Sequence, residues 1–186
     1  MPTIFTPEIA EFRLWTIANY FKTVSDYAKT HEMENIICIM LGEGFGINLD
    51  TIDSLCSVES LDNIGSDPYW LGHEDVVGYQ AVYDFVLKGT KRNLDVCKQF
   101  NKEHNIWIQT YNTPMGREEE IIAAADAMYD AGARNIWAWG YRGSDANDYR
   151  AIVPDATWKA TCDAFARLTE RDRNERHAIA RERNRI

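Results

Sequence analysis

The sequence has few of the features that mark disulfide-rich, metal-binding or membrane proteins. Its cysteines form no C-x-x-C pair and stand far apart in apolar surroundings, which predicts reduced thiols in the core. No apolar run approaches the roughly 18 residues of a membrane span. The amino terminus also lacks a basic stretch followed by an apolar one. We therefore expect a cytoplasmic protein without a membrane span. The cysteines are Cys38, Cys56, Cys97 and Cys162.

Motifs for nucleotides and metals are missing as well. The glycine-rich segment at 42–46 (GEGFG) has neither the G-x-G-x-x-G spacing of dinucleotide-binding proteins nor the lysine of a phosphate loop. His73, Glu74 and Asp75 adjoin each other in a loop, but no second histidine stands at helical spacing. We expect neither a cofactor nor a metal.

Positive charge is scarce except near the carboxyl terminus. The formal net charge is -9, which repels the phosphates of nucleic acids over most of the surface. From Arg167 onward seven arginines face four acids, giving +3 and leaving -12 for the preceding part. Interleaved signs are typical of an ion-paired, solvated helix end, although a basic tail could also bind nucleic acid or an acidic partner.

The chain alternates between predicted strands and helices. A helix opens at Pro7 with Thr6 as its cap, and its predicted buried stripe is Ile17, Tyr20, Phe21, Val24 and Ala28. Four apolar strands follow, each leading to a helix, which indicates a parallel sheet. Gly132 marks the predicted end of the helix after the third strand. The predicted strands are 36–41, 61–65, 106–111 and 136–141. We assign residues 1–168 to this unit and residues 169–186 to an arginine-rich helical extension.

The two sides of the later strands differ in character. Ile106 and Ile108 alternate with Trp107 and Gln109, and the strand at 136–141 repeats the pattern with small residues against Trp137, Trp139 and Tyr141. An open doubly wound sheet has aliphatic residues on both sides. An aliphatic side toward helices and an aromatic, partly polar side toward a lumen favour a barrel. The sequence therefore predicts half of a (β/α)₈ barrel with an extra amino-terminal helix.

Ligands of either architecture bind at the carboxyl ends of the strands. Carboxylates, aromatic rings and amides found there are typical of carbohydrate chemistry, in which rings stack on sugars and carboxyl groups act as acid, base or nucleophile. Structural roles compete with this interpretation: Asp62 could accept hydrogen bonds inside the barrel, and Asp67 before Pro68 could form a turn. The candidate catalytic residues are Asp62, Asp67 and Glu43; the candidate saccharide contacts are Trp70, Gln109, Tyr111, Trp139, Tyr141 and Arg142.

Four segments together resemble the carboxyl-terminal half of glycoside-hydrolase-like TIM-barrel proteins. They are 62–70 (DNIGSDPYW), 107–111 (WIQTY), 116–121 (GREEEI) and 136–142 (IWAWGYR). The resemblance implies that the strands are the fifth to eighth of a barrel and that Asp62, Gln109 and Trp139 line its cleft. Many retaining members carry a nucleophilic glutamate where this chain has Gln109 or a neighbour, so a standard retaining mechanism does not carry over.

Two functions remain open from the sequence. The first is glycoside hydrolysis or related carbohydrate chemistry, with Asp62 or Asp67 as one carboxyl group and Glu43 or a missing half as the source of the other. The second is a non-catalytic half-barrel that binds a saccharide or a protein partner. Four strands cut from a barrel leave two unpaired edges. We therefore expect either a homodimer or a complex with a separate amino-terminal half-barrel.

Overall fold

Strands and helices alternate along the chain, and all the strands of the sheet run in parallel. The computed structural model describes residues 6–39, 53–144 and 148–183. The strands pair in the order β1-β2-β3-β4, so the described part is an α/β protein. The elements are α1 (Pro7–Thr30), β1 (Ile36–Cys38), α2 (Asp53–Cys56), β2 (Asn63–Ser66), α3 (Tyr79–Gln99), β3 (Glu103–Gln109), α4 (Glu119–Ala131), β4 (Ile136–Trp139), a 3₁₀ turn (Tyr141–Ser144) and α5 (Pro154–Arg183).

Two helix ends follow local sequence rules. Thr6 caps α1, and its side-chain oxygen accepts a hydrogen bond from the backbone N–H of Ile9 at 3.4 Å. Gly132 follows α4 with φ of 107°, a left-handed conformation that favours glycine. Both predicted ends are confirmed.

The strand bounds differ from the predicted ones because apolar residues mark only the buried part of a strand. β3 begins at Glu103, three residues before the first isoleucine, since the backbone there pairs with Asn63 of β2. β2 covers Asn63–Ser66 where 61–65 was expected, and β4 ends at Trp139. β1 ends at Cys38, and residues 40 and 41 of its predicted span lie outside the described residues.

Two hydrophobic clusters line the same side of the sheet. Ile37 and Ile64 belong to one, with residues of α2 and α3, and Ile106 and Ile108 belong to the other, with residues of α3, α4 and α5. Side chains alternate along a strand, and the register puts these four on one side. The prediction that the isoleucine side of the sheet faces the helices is confirmed.

The cysteine prediction holds only in part. All four cysteines are free thiols. Cys56 and Cys97 are buried, but Cys38 and Cys162 are exposed, so their expected core positions are wrong. Cys38 lies on the edge strand β1 and Cys162 on the outer part of α5, where apolar neighbours in the sequence do not imply neighbours in space.

The predicted buried stripe of α1 is also wrong in part. Tyr20 exposes 62% of its surface and Val24 46%, whereas the neighbouring Phe21 packs against the cluster around Ile64. Helical periodicity identifies an apolar side but does not say what covers it. The residues of α1 that are buried or half-buried are Leu14, Ala18, Phe21, Ser25 and Ala28.

Helix α5 passes without interruption through the predicted boundary at residue 168. Arg171 pairs with Asp126 and Asp130 of α4, and Arg176 pairs with Asp172 one turn earlier. The predicted ion pairing of this segment is confirmed for these arginines. None of the helices in the described ranges is long and apolar enough to cross a bilayer.

Candidate active site at the carboxyl ends of the strands

Three tryptophans form an aromatic surface on the side of the sheet opposite the two hydrophobic clusters. Trp107 pairs in register with Trp137, and alternation directs both away from Ile106 and Ile108. The Trp107 ring centroid lies 4.8 Å from that of Trp137 and 5.8 Å from that of Trp139. Trp137 and Trp139 expose 40% and 54% of their surface. The rings are therefore accessible to a ligand. We call Trp107, Trp137 and Trp139 the aromatic surface.

Asp67 follows directly after β2, at the carboxyl end of that strand. The residue is half-buried, and its Oδ1 is fully buried without a hydrogen-bond partner among the described residues. Burial raises the pKa of this carboxyl group to about 6, and a hydrogen bond from its own backbone opposes the shift. A carboxyl group with this pKa is largely protonated in mildly acidic solution and can donate a proton there.

Two tyrosines near Asp67 respond to its charge. The Tyr69 and Tyr111 rings meet edge to face at 5.3 Å, and Tyr149 approaches Tyr111 at 6.0 Å. Burial, and then the negative charge of Asp67, raises the pKa of both Tyr69 and Tyr111. Both tyrosines therefore stay protonated at neutral pH and can donate hydrogen bonds.

Trp70 and Gln109 are buried, and each forms a hydrogen bond within the protein. Trp70 exposes 1% of its surface, and its Nε1 donates to Oε2 of Glu120 at 2.7 Å. Gln109 exposes 3%, and its Oε1 accepts from the backbone N–H of Leu71 at 3.1 Å. Glu120 also accepts from the backbone of Gly78 at 2.8 Å. The predicted ligand contact of Trp70 is corrected to a structural role, because its one polar atom is bound inside the protein. Oε1 of Gln109 is bound to the loop after β2, and the predicted ligand contact of Gln109 stays a prediction.

Asp62 lies at the opposite end of the sheet from Asp67. It precedes β2, and its Oδ2 accepts from the backbone N–H of Asn35 at 2.9 Å while Oδ1 accepts from Lys29. Desolvation would raise the pKa of Asp62, but these hydrogen bonds and the charges of Lys29 and Lys102 lower it. Its predicted place at the carboxyl end is wrong, because β2 begins one residue after it.

The remaining candidates have different surroundings. Tyr141 exposes 72% of its surface, and its ring meets Trp158 of α5 at 4.9 Å. Arg142 pairs with Asp155 at 2.5 Å, so part of its donor capacity is used. Tyr111 and Trp139 lie at the carboxyl ends of β3 and β4, as predicted. Glu43 lies outside the described residues.

Two buried asparagines on the aromatic side of the sheet were not predicted as site residues from the sequence. Asn105 is fully buried, and neither its Oδ1 nor its Nδ2 has a hydrogen-bond partner in the described part of the chain. Oδ1 of Asn63 is also buried and unpaired there. Gly65 leaves room for Asn105, since a Cβ at that position would stand 2.5 Å from Oδ1. The dipeptide Asn-Ile occurs at 105–106 and also at 35–36 and 135–136. This repeat indicates strand starts and does not by itself predict a polar interior.

No group of three or more histidine, cysteine or acidic side chains that could hold a metal is found within residues 6–39, 53–144 and 148–183. The chain matches no protein-family model and no curated protein.

Proposed function

We propose that the four strands are half of a (β/α)₈ barrel, and that the chain binds a saccharide at their carboxyl ends with Asp67 as a general acid. The observation that carries this proposal is the position of Asp67. Its Oδ1 is buried and unpaired among the described residues, and its charge acts on Tyr69 and Tyr111. Alternation from Gly65, which pairs with Asn105, puts Asp67 on the side of the sheet that carries the aromatic surface.

The strand order supports the barrel. Strands follow one another in space as in sequence, and both hydrophobic clusters lie on a single side of the sheet. An open doubly wound sheet reverses its order at a switch point and needs helices on both sides. A barrel has sequential order and a single helical layer. The glycoside-hydrolase-like resemblance noted in the sequence agrees with this assignment.

The aromatic surface supports a saccharide ligand. Trp137 and Trp139 are exposed, and their planes meet that of Trp107 at 62° and 81°, so each exposed ring offers its own apolar area to the C–H face of a pyranose. Tyr111 lies just beyond the carboxyl end of β3. Because the pKa of its hydroxyl group is raised, it stays protonated and can donate a hydrogen bond near Asp67. Polar groups beside a stacking platform are what binding a polyhydroxylated ring requires.

Asp67 would act by protonating the glycosidic oxygen. Its carboxyl proton moves to that oxygen as the bond to the anomeric carbon breaks, and water or a second carboxylate attacks the anomeric carbon. The second carboxyl group remains the one proposed from the sequence, Glu43 or a group from a complementary half. Asp62 is too distant for this role because it lies at the amino-terminal end of β2.

Titration with oligosaccharides, followed by tryptophan fluorescence, tests the binding site. The probes are cellotetraose, xylotetraose and maltotetraose at up to millimolar concentration. We expect Trp139→Ala to weaken the response to the best probe at least tenfold. Trp15→Ala is the matched control, because Trp15 is 61% exposed on α1, away from the site. No response from the folded wild-type chain, or equal loss in both variants, would count against the proposal.

A second candidate, non-catalytic saccharide binding, is favoured by one observation. Of the three predicted catalytic carboxylates, Asp67 alone lies on the aromatic side of the sheet within the described residues, since Asp62 lies at the other end of the sheet and Glu43 is outside those residues. Asp67→Asn separates the two functions in a hydrolysis assay with 4-nitrophenyl glycosides. General acid catalysis predicts loss of turnover, on the order of 10²-fold or more, with binding retained. Binding by both proteins without turnover by either supports the second candidate.

A further inference from the structure

We propose that a second copy of this chain docks edge to edge with the first, so that β4 of each copy pairs with β1 of the other in one eight-stranded barrel. The inference depends on the open strand edges and the exposed apolar residues beside them. It does not depend on the saccharide chemistry, and either proposal can fail without the other.

The backbone at both edges has free hydrogen-bonding groups of matching geometry. Asn35 and Ile39 direct their peptide groups to β2, so alternation points those of Ile36 and Cys38 away from the sheet. On the other edge, Asn135 and Trp139 accept hydrogen bonds from β3. Alternation then points the peptide groups of Ile136 and Ala138 outward. Each edge thus offers two residues with unpaired N–H and C=O groups among the described residues.

A second copy fits these edges because of symmetry. A two-fold axis parallel to the strands keeps all eight strands parallel and brings β4 of each copy beside β1 of the other. Both contacts are then identical and no edge remains, which closes the assembly at two copies. β1 has three residues and β4 has four, so the paired edges are similar in length.

Exposed apolar side chains continue the proposed contact along α1. Four apolar residues of α1, spaced three, four and three positions apart, lie on one side of the helix next to its buried stripe, and we call them the exposed flank. They are Ile17, Tyr20, Val24 and Tyr27, with exposed fractions of 38%, 62%, 46% and 67%. A groove between α1 and α2 lies on the other side of the stripe, lined by Trp15, Lys22 and Ser57 among others. The flank therefore faces away from α2, toward the position of a neighbouring strand and helix.

Helix α5 has a second apolar flank, and its Trp158 contacts Tyr141, which follows β4, at 4.9 Å. Trp158, Cys162 and Phe165 follow at spacings of four and three, next to the buried residues Ala160 and Ala164. Since an aromatic side chain buries roughly 150–250 Å², Tyr20 and Tyr27 on the flank of α1 offer on the order of 200 Å² per copy. The strand edges, the α5 flank and the aliphatic residues of α1 add to this area, and the two-fold axis gives two such contacts toward the roughly 800 Å² per partner of a stable interface.

Light scattering after size exclusion tests the proposal on the full chain. We expect a mass of twice 21.4 kDa at micromolar concentration. Ala138→Pro and Ile36→Pro each remove an outward N–H without removing a hydrogen bond within the sheet, and each should weaken the dimer at least tenfold. Ala138→Val and Ile36→Val are the matched controls, because they keep the N–H. A 1:1 mixture of the two proline variants should regain part of the dimer, since one of its two contacts is intact.

Circular dichroism verifies that each variant is folded. If a proline variant does not fold, Tyr20→Lys on the exposed flank replaces it, with Met115→Lys, at a site 74% exposed in a loop, as control. A monomer at 100 µM, an assembly larger than two chains, or a dimer that the edge and flank variants leave unchanged would overturn the proposal.

Discussion

Two aspartates five positions apart differ in environment and in charge behaviour. Asp67 is half-buried at the carboxyl end of β2, and burial raises the pKa of its carboxyl group to about 6. Asp62 at the other end accepts hydrogen bonds from Lys29 and Asn35, and the pKa of its carboxyl group is lowered. One strand therefore separates a carboxyl group suited to donate a proton from one that serves as an anionic anchor.

The pH dependence of stability should reveal the Asp67 environment. Because the folded chain holds this proton more tightly than the unfolded chain, the wild type loses stability as the pH rises from about 4 through about 6. Asp67→Asn has no proton to lose. We expect the variant to gain on the order of 2 kcal/mol relative to the wild type between pH 4 and pH 8. Urea unfolding at the two pH values measures the difference.

Asp62→Asn is the matched control for that experiment. Its lowered pKa stabilises the folded chain above the unfolded pKa, and this contribution disappears as the pH falls through the folded value. The variant should therefore be destabilised at pH 8 and resemble the wild type at low pH. A common pH trend in both variants would contradict the contrast between the two sites.

Gly65→Ala should destabilise the chain by about 1–3 kcal/mol, as overpacking of a core usually does. The added Cβ would stand 2.5 Å from Oδ1 of Asn105, which is fully buried. Urea unfolding gives the free energy, and Gly72→Ala, where the added Cβ meets nothing within 4 Å, is the control. An equal cost of Gly65→Ala with and without Asn105→Ala would show that the clash is not with that amide.

Sequence reasoning placed Asp67, Tyr111 and Trp139 correctly at the carboxyl ends of strands, because each follows or ends a recognisable apolar strand. The prediction that Trp70 contacts a ligand was wrong. A tryptophan after an Asp-Pro turn looks the same in the sequence whether it binds a ligand or a buried glutamate. The partner, Glu120, lies 50 positions away on α4. Contacts over such a separation follow from packing, which local patterns do not encode.

At the scale of elements, α4 and α5 are joined by a buried carboxylate. Asp126 has a side chain only 5% exposed, paired with Arg167 and Arg171 of α5 and hydrogen-bonded to the Tyr79 hydroxyl of α3 at 2.7 Å. Arg171 also binds Asp130. A buried anion needs these partners to offset its desolvation. The network therefore fixes α5 on the helical layer.

Arg171→Ala should destabilise the chain by about 1–3 kcal/mol, because it leaves Asp126 with fewer partners in a buried position. Arg173→Ala, at an exposed position two residues later, should stay within about 0.5 kcal/mol of the wild type. Thermal and urea unfolding compare the two variants. Equal stability of both would mean that α5 is held by its apolar residues alone.

Helical sequence patterns predict where a helix ends better than they predict which of its apolar residues are buried. Thr6 and Gly132 were predicted as helix ends because capping depends on a few adjacent residues. The exposed flank of α1 was predicted as core, since periodicity cannot distinguish an apolar side that packs within the chain from one left uncovered. The flank is what the proposed second copy would cover.

At the scale of the whole molecule, the parallel sheet and its one-sided helical layer follow from the sequence. Strand-helix alternation predicted parallel strands, and the contrast between Ile106 and Trp107 predicted which side packs on helices. What lies beyond β1 and β4 does not follow, because closure of a sheet depends on partners outside these strands. The aromatic side is consequently both the proposed ligand surface and the proposed interior of the assembly.

On the aromatic side of the sheet, burial raises the pKa of the Asp67 carboxyl group, so that it stays protonated above the usual range of aspartate. Carbon-13 NMR titration of the aspartate carboxyl groups, with Asp67→Asn to assign the resonance, measures that pKa directly. We predict a midpoint of about 6 for Asp67 and a lowered one for Asp62. A midpoint for Asp67 near 4 would contradict the proposed general acid.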